Sequence, residues 1–384
     1  MTHTKRVRLS WLHCLLPVLL GLALASLSRG QMPEDRSNKK LDISEIVRQY
    51  GRVSRQTPTA ATPAKPTVRL ANSSALSAAS ENDYWFQMAS ALVEKRFDDL
   101  EKAAREARTG KARLPGGVWK LYKFYDAVEM PYKRQNATAA EWTAYFATLK
   151  DWIAAYPESP TPRIALGEGY ISYAWAARGH GYADSVSEGG WNLFNERVSK
   201  AQEMLIKAAQ LKEKDPFWFE AMQTVALAQG WDKAQARELL DQAVASEPGY
   251  YHYYREHANF LLPKWYGQEG EVATFAEEVS NRVGGQEGLF LYFEIASVGV
   301  CQCQDDKASL SNLSWPKIKQ GYVALEKLYG LTNLKNNRFA YMAYSADDKA
   351  AAQLALSRIG ENIDPSVWRN RMTFQAAKAW ATRP

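Results

Sequence analysis

The stretch QLKEKDPFWFEAMQTVALAQGWDKAQARELLDQAVASEPGYYHYYREHANFLLP, Gln210 to Pro263, decides the fold. Within it, Ala236, Leu239, Leu240 and Ala243 fall at i, i+3, i+4 and i+7, the spacing of one apolar stripe along a helix. Asp232 followed by Gln235 supplies a capping-box start for that helix. Asp215-Pro216 places proline where a helix begins, at no cost, because the N–H it lacks would have had no partner there. The pattern is therefore helix, proline turn, aromatic-rich helix.

Working outward, the same unit recurs. DWIAAYPESPTPRIALGEGYISYAW, from Asp151, repeats the proline joint, and Thr138 with Glu141 repeats the capping device. Thr161-Pro162 and Asp364-Pro365 read as further helix starts. No Asn-Gly or Asp-Gly hairpin and no sustained alternation of apolar and polar residues occurs. GLFLYFEIASVGV, Gly288 to Val300, is apolar almost all round, and its length favours a buried helix over a strand. Leu166-Gly167 with Tyr170 matches the opening of the tetratricopeptide pattern, and Pro216 to Pro248 is close to its period. The fold expected is all-α, an irregular tetratricopeptide-like α-solenoid of stacked helix pairs.

Composition limits the rest. The chain has 384 residues, 46% apolar and 23% charged, with 13 Trp and 20 Tyr against 3 Cys. That balance excludes a disulfide-stapled miniature domain and a low-complexity polymer. A mean hydropathy of −0.42 excludes a polytopic membrane protein. Lys5, Arg6 and Arg8 precede an apolar run over residues 9–27, and Ala23-Leu24-Ala25 has the small-x-small spacing that signal peptidase reads. Residues 1–25 are thus expected to be a signal peptide, or else an uncleaved anchor with the basic end inside, and the protein is expected to be exported to the periplasm or cell envelope. Without residues 1–25 the formal net charge falls from +6 to +3, and the remaining charges are interspersed. Nucleic acid is therefore not an expected partner, and membrane contact is expected only through the N-terminal segment.

Residues 26–81 read as a disordered linker. Gly51 to Asp83 holds no aromatic residue and is dominated by Pro, Ala, Ser and Thr, which cannot offset the entropy of ordering. Residues 82–384 are the helical domain. Cys301 and Cys303, two apart, lack the geometry of a mutual disulfide and are only half of a structural zinc set.

The segments YAWAARGHGYADSVSEGGWNLFNERVSKAQEMLIKAAQL, KDPFWFEAMQTVALAQGW and EPGYYHYYREHANFLLPKWYG resemble the bacterial family known as domain of unknown function 4034. The resemblance runs from about Phe97 to Trp368, and its most specific elements are Ala174-Trp175, Arg178-Gly179, Asp215-Pro216, Pro248-Tyr250-Tyr251 and Leu262-Pro263-Lys264-Trp265. It implies a bacterial origin and a helical fold. It implies no reaction, because the family has none assigned.

Catalytic motifs are sparse. His252 and His257 are five apart and face different sides of a helix, HExxH is absent, and His252 with Glu256 reads as an exposed polar pair, so no metal site is expected. Gly167-Glu168-Gly169 and Gly179-His180-Gly181 do not complete a dinucleotide fingerprint, and neither a phosphate loop nor a G-x-S-x-G elbow occurs, so no cofactor is expected. The densest constellation is Glu168, Tyr170, Trp175, Arg178 and His180. Glu168, Trp175 and Arg178 share one side of a helix that ends at Gly179, as an indole floor with a carboxylate and a guanidinium, or as a Glu168–Arg178 pair locking two helices. Phe217 to Phe219 and Tyr250 to Tyr254 read mainly as core, although GYYHYY points around a whole helix and so should leave some rings facing water, a groove or a partner. The expected function is binding of a peptide, protein or glycan through a concave aromatic face, with Glu168, Tyr170, Trp175, Arg178, His180, Glu220 and Tyr254 as candidate contacts. The alternative is an envelope hydrolase using carboxylates such as Glu168 and Glu220.

Overall fold

The computed structural model describes residues 78–131, 137–179, 183–302, 310–368 and 370–383. The signal or anchor expected at 1–25, nearly all of the expected linker, His180 and Cys303 lie outside the described residues. Among the described residues there are fifteen α-helices and no strand, so the molecule is all-α, built of packed helix pairs in a solenoid-like manner. None of these helices is long and apolar enough to cross a membrane. They divide into two compact units, one ending at Phe260 and the other beginning at Leu261.

The first unit holds α1 (Ala78–Val93), α2 (Phe97–Gly110), α3 (Lys120–Val128), α4 (Ala139–Ala155), α5 (Thr161–Arg178), α6 (Glu188–Ala209), α7 (Phe217–Gln229), α8 (Lys233–Ser246) and α9 (His252–Phe260). The first helix starts four residues inside the expected linker, since Ala78-Ala79 favours helix once Trp85 and Met88 give it a packed face. Helices α3, α5, α7 and α9 pack one on the next as an inner row, while α4, α6 and α8 bridge them from outside.

Burial separates the two rows. In α8 the buried residues are Ala236, Leu239, Leu240 and Ala243, the stripe expected from the sequence. In α7 every residue from Phe217 to Ala228 is buried, so this helix has neighbours on all sides. The same position corrects the expectation for GYYHYY. Tyr250, Tyr251, Tyr253 and Tyr254 are all buried, and no ring of that run is left for water, because α9 lies in the inner row against both α7 and α8.

Capping boxes form at Thr138/Glu141 and Asp232/Gln235. The Asp215-Pro216 start holds in modified form: α7 begins at Phe217, whose N–H donates to Asp215 Oδ1 at 2.9 Å. Thr161 is not a cap. It is the first residue of α5, and its Oγ1 accepts from Arg108 at 3.4 Å. Asp364-Pro365 starts no helix either. Asp364 Oδ1 accepts from Ser366 N–H at 3.0 Å and closes a turn, and α15 waits for its cap at Asn370.

A buried ion network joins the beginnings of the inner row. Asp215, fully buried, meets Arg108 of α2 at 2.6 Å and accepts from Tyr125 Oη of α3 at 2.8 Å, while Arg108 also reaches Glu213 at 2.6 Å. Burial alone would lower the Arg108 pKa, but the charges of Asp215, Tyr125 and Glu213 together raise it above the usual arginine value. Helices α2, α3 and α7 thereby converge on one aspartate, and Arg108 also reaches Thr161 at the start of α5.

The second unit holds α10 (Glu271–Val283), α11 (Gly285–Gln302), α12 (Trp315–Tyr329), α13 (Asn333–Ser345), α14 (Lys349–Ile359) and α15 (Arg371–Thr382). The ambiguous stretch from Gly288 lies in α11, a helix as expected, and Phe290 to Val300 is buried without interruption. Gly321 lets α12 approach it closely, since a methyl group there would lie 2.3 Å from Leu289 O. A buried Lys335–Glu294 pair ties α13 to α11. Asn337 is a second polar anchor, its Oδ1 accepting from Trp368 Nε1 at 2.8 Å and Asp364 N–H at 3.1 Å.

Candidate functional site

Helix α5 carries most of the candidate residues and divides them between two places. Gly179, at φ 73°, terminates the helix, as the sequence indicated. Toward that end its side chains form a half-buried ledge with α4 and α6. The Arg178 guanidinium lies 5.5 Å from the ring centres of both Trp175 and Trp191. Trp175 also meets Phe194 of α6 edge-on at 5.0 Å, and Tyr170 stacks on Phe146 of α4 at 4.5 Å. Arg197 of α6 sits 3.3 Å over the Tyr173 ring and donates to the Tyr173 carbonyl at 2.7 Å. No carboxylate stands within ion-pair distance of Arg197 among the described residues. Burial lowers the pKa of both Arg178 and Arg197, the sign of guanidiniums partly stripped of water.

Glu168 does not join this ledge. It lies on the inner side of α5, buried, and among the described residues it makes no hydrogen bond or ion pair, so the Glu168–Arg178 lock weighed from the sequence does not form. Its electrostatic neighbour is Glu256 of α9. Burial first, and then the Glu256 charge, push the Glu168 pKa up to about 8. Burial also raises Glu256 to about 7, with Arg255 offsetting part of the effect. Glu220 of α7 accepts from Tyr250 Oη at 2.7 Å, yet burial and the charges of Glu256, Glu168 and Glu129 hold its pKa well above the carboxylate range. Glu129, which caps the end of α3, is the fourth member, 2% exposed. Glu220 thus has a carboxyl from each of the other three inner-row helices as an electrostatic neighbour.

The remaining candidates stand nearby. Tyr254 is buried in α9, and Tyr250, read as core and not as a candidate contact, meets Glu220. His252 and Glu256 are not the exposed pair expected. His252 is buried between Tyr122 and Tyr251, ring centres 4.1 and 4.2 Å away, and Glu256 is half-buried. The reason is again that α9 is enclosed. Among the described residues no group of three His, Cys, Asp or Glu side chains is disposed to hold a metal ion.

Sequence reasoning missed Glu129, Trp191, Arg197, Tyr173 and the role of Glu256. The available signal was acidic residues set in apolar or aromatic context, as in FWFEAM and YYREHA, since a lone carboxyl there must be buried or locally solvated. Comparison with protein-family models, with curated proteins and with solved structures finds no match to this chain.

Proposed function

We propose that this is an exported bacterial helical-repeat protein that binds a carboxylate-bearing segment of a peptide, protein or glycan on the α4–α6 ledge. The observation that carries this reading is Arg197: a half-buried guanidinium held on the Tyr173 face, with no carboxylate in ion-pair contact among the described residues. A guanidinium so oriented and dehydrated offers charge-assisted hydrogen bonds to an incoming carboxylate at little entropic cost. Arg178, fixed against two indoles, supplies a second charge on the same pair of helices. The export signal and the bacterial origin rest on Lys5–Ala25 and on the resemblance to domain of unknown function 4034.

The hydrolase alternative draws on the raised pKa values of Glu168 and Glu256, which suit general acid and base work. It requires a scissile bond to reach Glu168 and Glu220, and these are only 3% and 4% exposed. The ledge is the more accessible of the two places.

The test is a titration of the full chain with an oligoglutamate peptide and, separately, with oligogalacturonate, read by tryptophan fluorescence and calorimetry. One of the two should bind, and Arg197→Ala should weaken that binding about tenfold or more, as loss of a charge-assisted hydrogen bond implies. Binding that ignores Arg197→Ala, or no binding to either probe by folded protein, would sink the reading.

A further inference from the structure

Between α11 and α12 of the second unit lies an open groove of about 340 Å³. We propose that it is a docking site for an acidic amphipathic helix of a partner protein, a role that does not depend on the ledge of the first unit.

The groove follows from how α12 is packed. A methyl at Gly321 would lie 2.3 Å from the Leu289 carbonyl oxygen, so the two backbones already touch there and the depression beside them cannot fill by closer approach. Ile318, Tyr322 and Leu325, at i, i+4 and i+7, are the buried stripe of α12. Lys319, Val323 and Lys327, at i, i+4 and i+8, form a second line, and this line borders the groove. Leu289 and Ala324 complete its apolar lining. Val323 is 45% exposed, and Leu354 of α14 is 50% exposed. The pairs Lys319–Asp348 at 3.0 Å and Arg358–Glu326 at 3.1 Å run α12 and α14 in the same direction, which brings Leu354 to the level of Val323. Helix α12 thus has one apolar side that the fold covers and one that it leaves to water.

The charge lining this surface has one sign. Lys319 and Lys327 lie two turns, or about 12 Å, apart along α12, with Val323 between them. Asp348 holds Lys319, whereas Lys327 has no carboxylate in ion-pair contact among the described residues. The acids on either side are engaged, Glu326 with Arg358 and Glu287 accepting from Tyr329 Oη at 2.6 Å. Gln286 and Gln320 add amides that can donate as well as accept.

An occupant that fits must bring apolar atoms to Val323 and Leu289 and carboxylates to two lysines about 12 Å apart. A helix does both, with apolar residues at i, i+3, i+4 and i+7 and acidic residues two turns apart along its flank. A second copy of this chain meeting the patch about a two-fold axis would set lysine against lysine, which opposes that contact. An anionic membrane is held by clusters of about four to eight basic residues, more than line this groove.

The test uses the full chain and two labelled peptides of about four helical turns with the same leucine stripe, one flanked by glutamates and the other by lysines. Fluorescence anisotropy should show the glutamate peptide binding with a Kd on the order of 100 μM or tighter, and the lysine peptide not binding. Val323→Glu should abolish the binding, and Lys327→Glu should weaken it about fivefold or more and admit the lysine peptide. Both side chains are exposed, so circular dichroism should give both variants the melting temperature of wild type. Arg197→Ala should leave this binding unchanged; a loss with Arg197→Ala would move the peptide to the ledge and overturn the groove. Failure of folded protein to bind the glutamate peptide, equal binding of the two peptides, or binding indifferent to Val323→Glu and Lys327→Glu would each overturn it as well. So would a dimer in sedimentation that Val323→Glu dissociates, which would give the groove to a second copy. Capture by phosphatidylglycerol vesicles that Lys327→Glu abolishes would give it to a membrane and likewise overturn the proposal.

Discussion

At the scale of single residues, the first unit is held by a few side chains whose neighbours cannot give way. A methyl at Gly169 would lie 2.7 Å from the Tyr145 ring, and that ring is fixed by its bond to the Val128 carbonyl. Gly169→Ala should therefore destabilise by about 1–3 kcal/mol, despite the better helix propensity of alanine, because overpacking outweighs it. A chemical-denaturation series that showed Gly169→Ala to be stabilising would contradict this packing. Trp218 is fully buried and donates from Nε1 to the Leu205 carbonyl at 2.7 Å. Trp218→Ala should cost about 3–5 kcal/mol by the same measurement, as large-to-small core changes do. Asp215→Ala should cost a similar amount, about 3–5 kcal/mol, since it removes the buried partner of Arg108 and leaves Tyr125 Oη and the Phe217 N–H without their acceptor. These residues differ in chemistry and share one cause: the space around them is already filled.

At the scale of elements, the helix ends matter unequally. In α4, Thr138 and Glu141 complete a capping box at an exposed end, and Thr138→Ala should cost about 1 kcal/mol. A stability change below the error of an equilibrium unfolding curve would show that the tertiary contacts of α4 hold its end without the cap. The start of α7 is different, because Asp215 caps it while also serving the Arg108 network. Helices α7 and α9 illustrate how context overrides pattern. An amphipathic helix reveals its buried side by period, whereas a helix enclosed on all sides has no polar face to mark orientation. This is why His252 reads as exposed from spacing alone and is enclosed in fact, with Glu256 half-buried beside it.

At the scale of the molecule, surface ion pairs contribute little to stability. Pairs such as Lys200–Glu196 and Lys207–Glu203 are half-exposed and lie four apart on one helix, where screening leaves a few tenths of a kcal/mol each. Raising ionic strength at pH 6 should move the melting temperature less than raising pH from 6 to 8.5 does. A salt response larger than the pH response, measured by calorimetry under matched buffers, would place the dominant electrostatics on the surface. The thirteen tryptophans fit the same account. All but Trp11 lie at or beyond Trp85, and Trp119, Trp152, Trp218 and Trp368 are among the most deeply buried side chains. Large rings fill the space between the helices.

The sequence by itself determined that the chain is helical, where α4 and α8 begin, which stripe of α8 is buried, and that Gly179 ends α5. These are local matters, set by capping chemistry and by a period of 3.6 residues that any reader of the chain can follow. Only the tertiary structure decided that α5 turns Glu168 inward and Arg178 outward, that GYYHYY is wholly enclosed, and that Glu220 feels a carboxyl from each of three other helices. Glu129, Glu168, Glu220 and Glu256 are spread over 128 residues of chain, and no local pattern couples them. The raised pKa values of Glu168, Glu220 and Glu256 arise from burial first and, for Glu168 and Glu220, from neighbouring carboxylate charge, which exist only once the inner row has stacked.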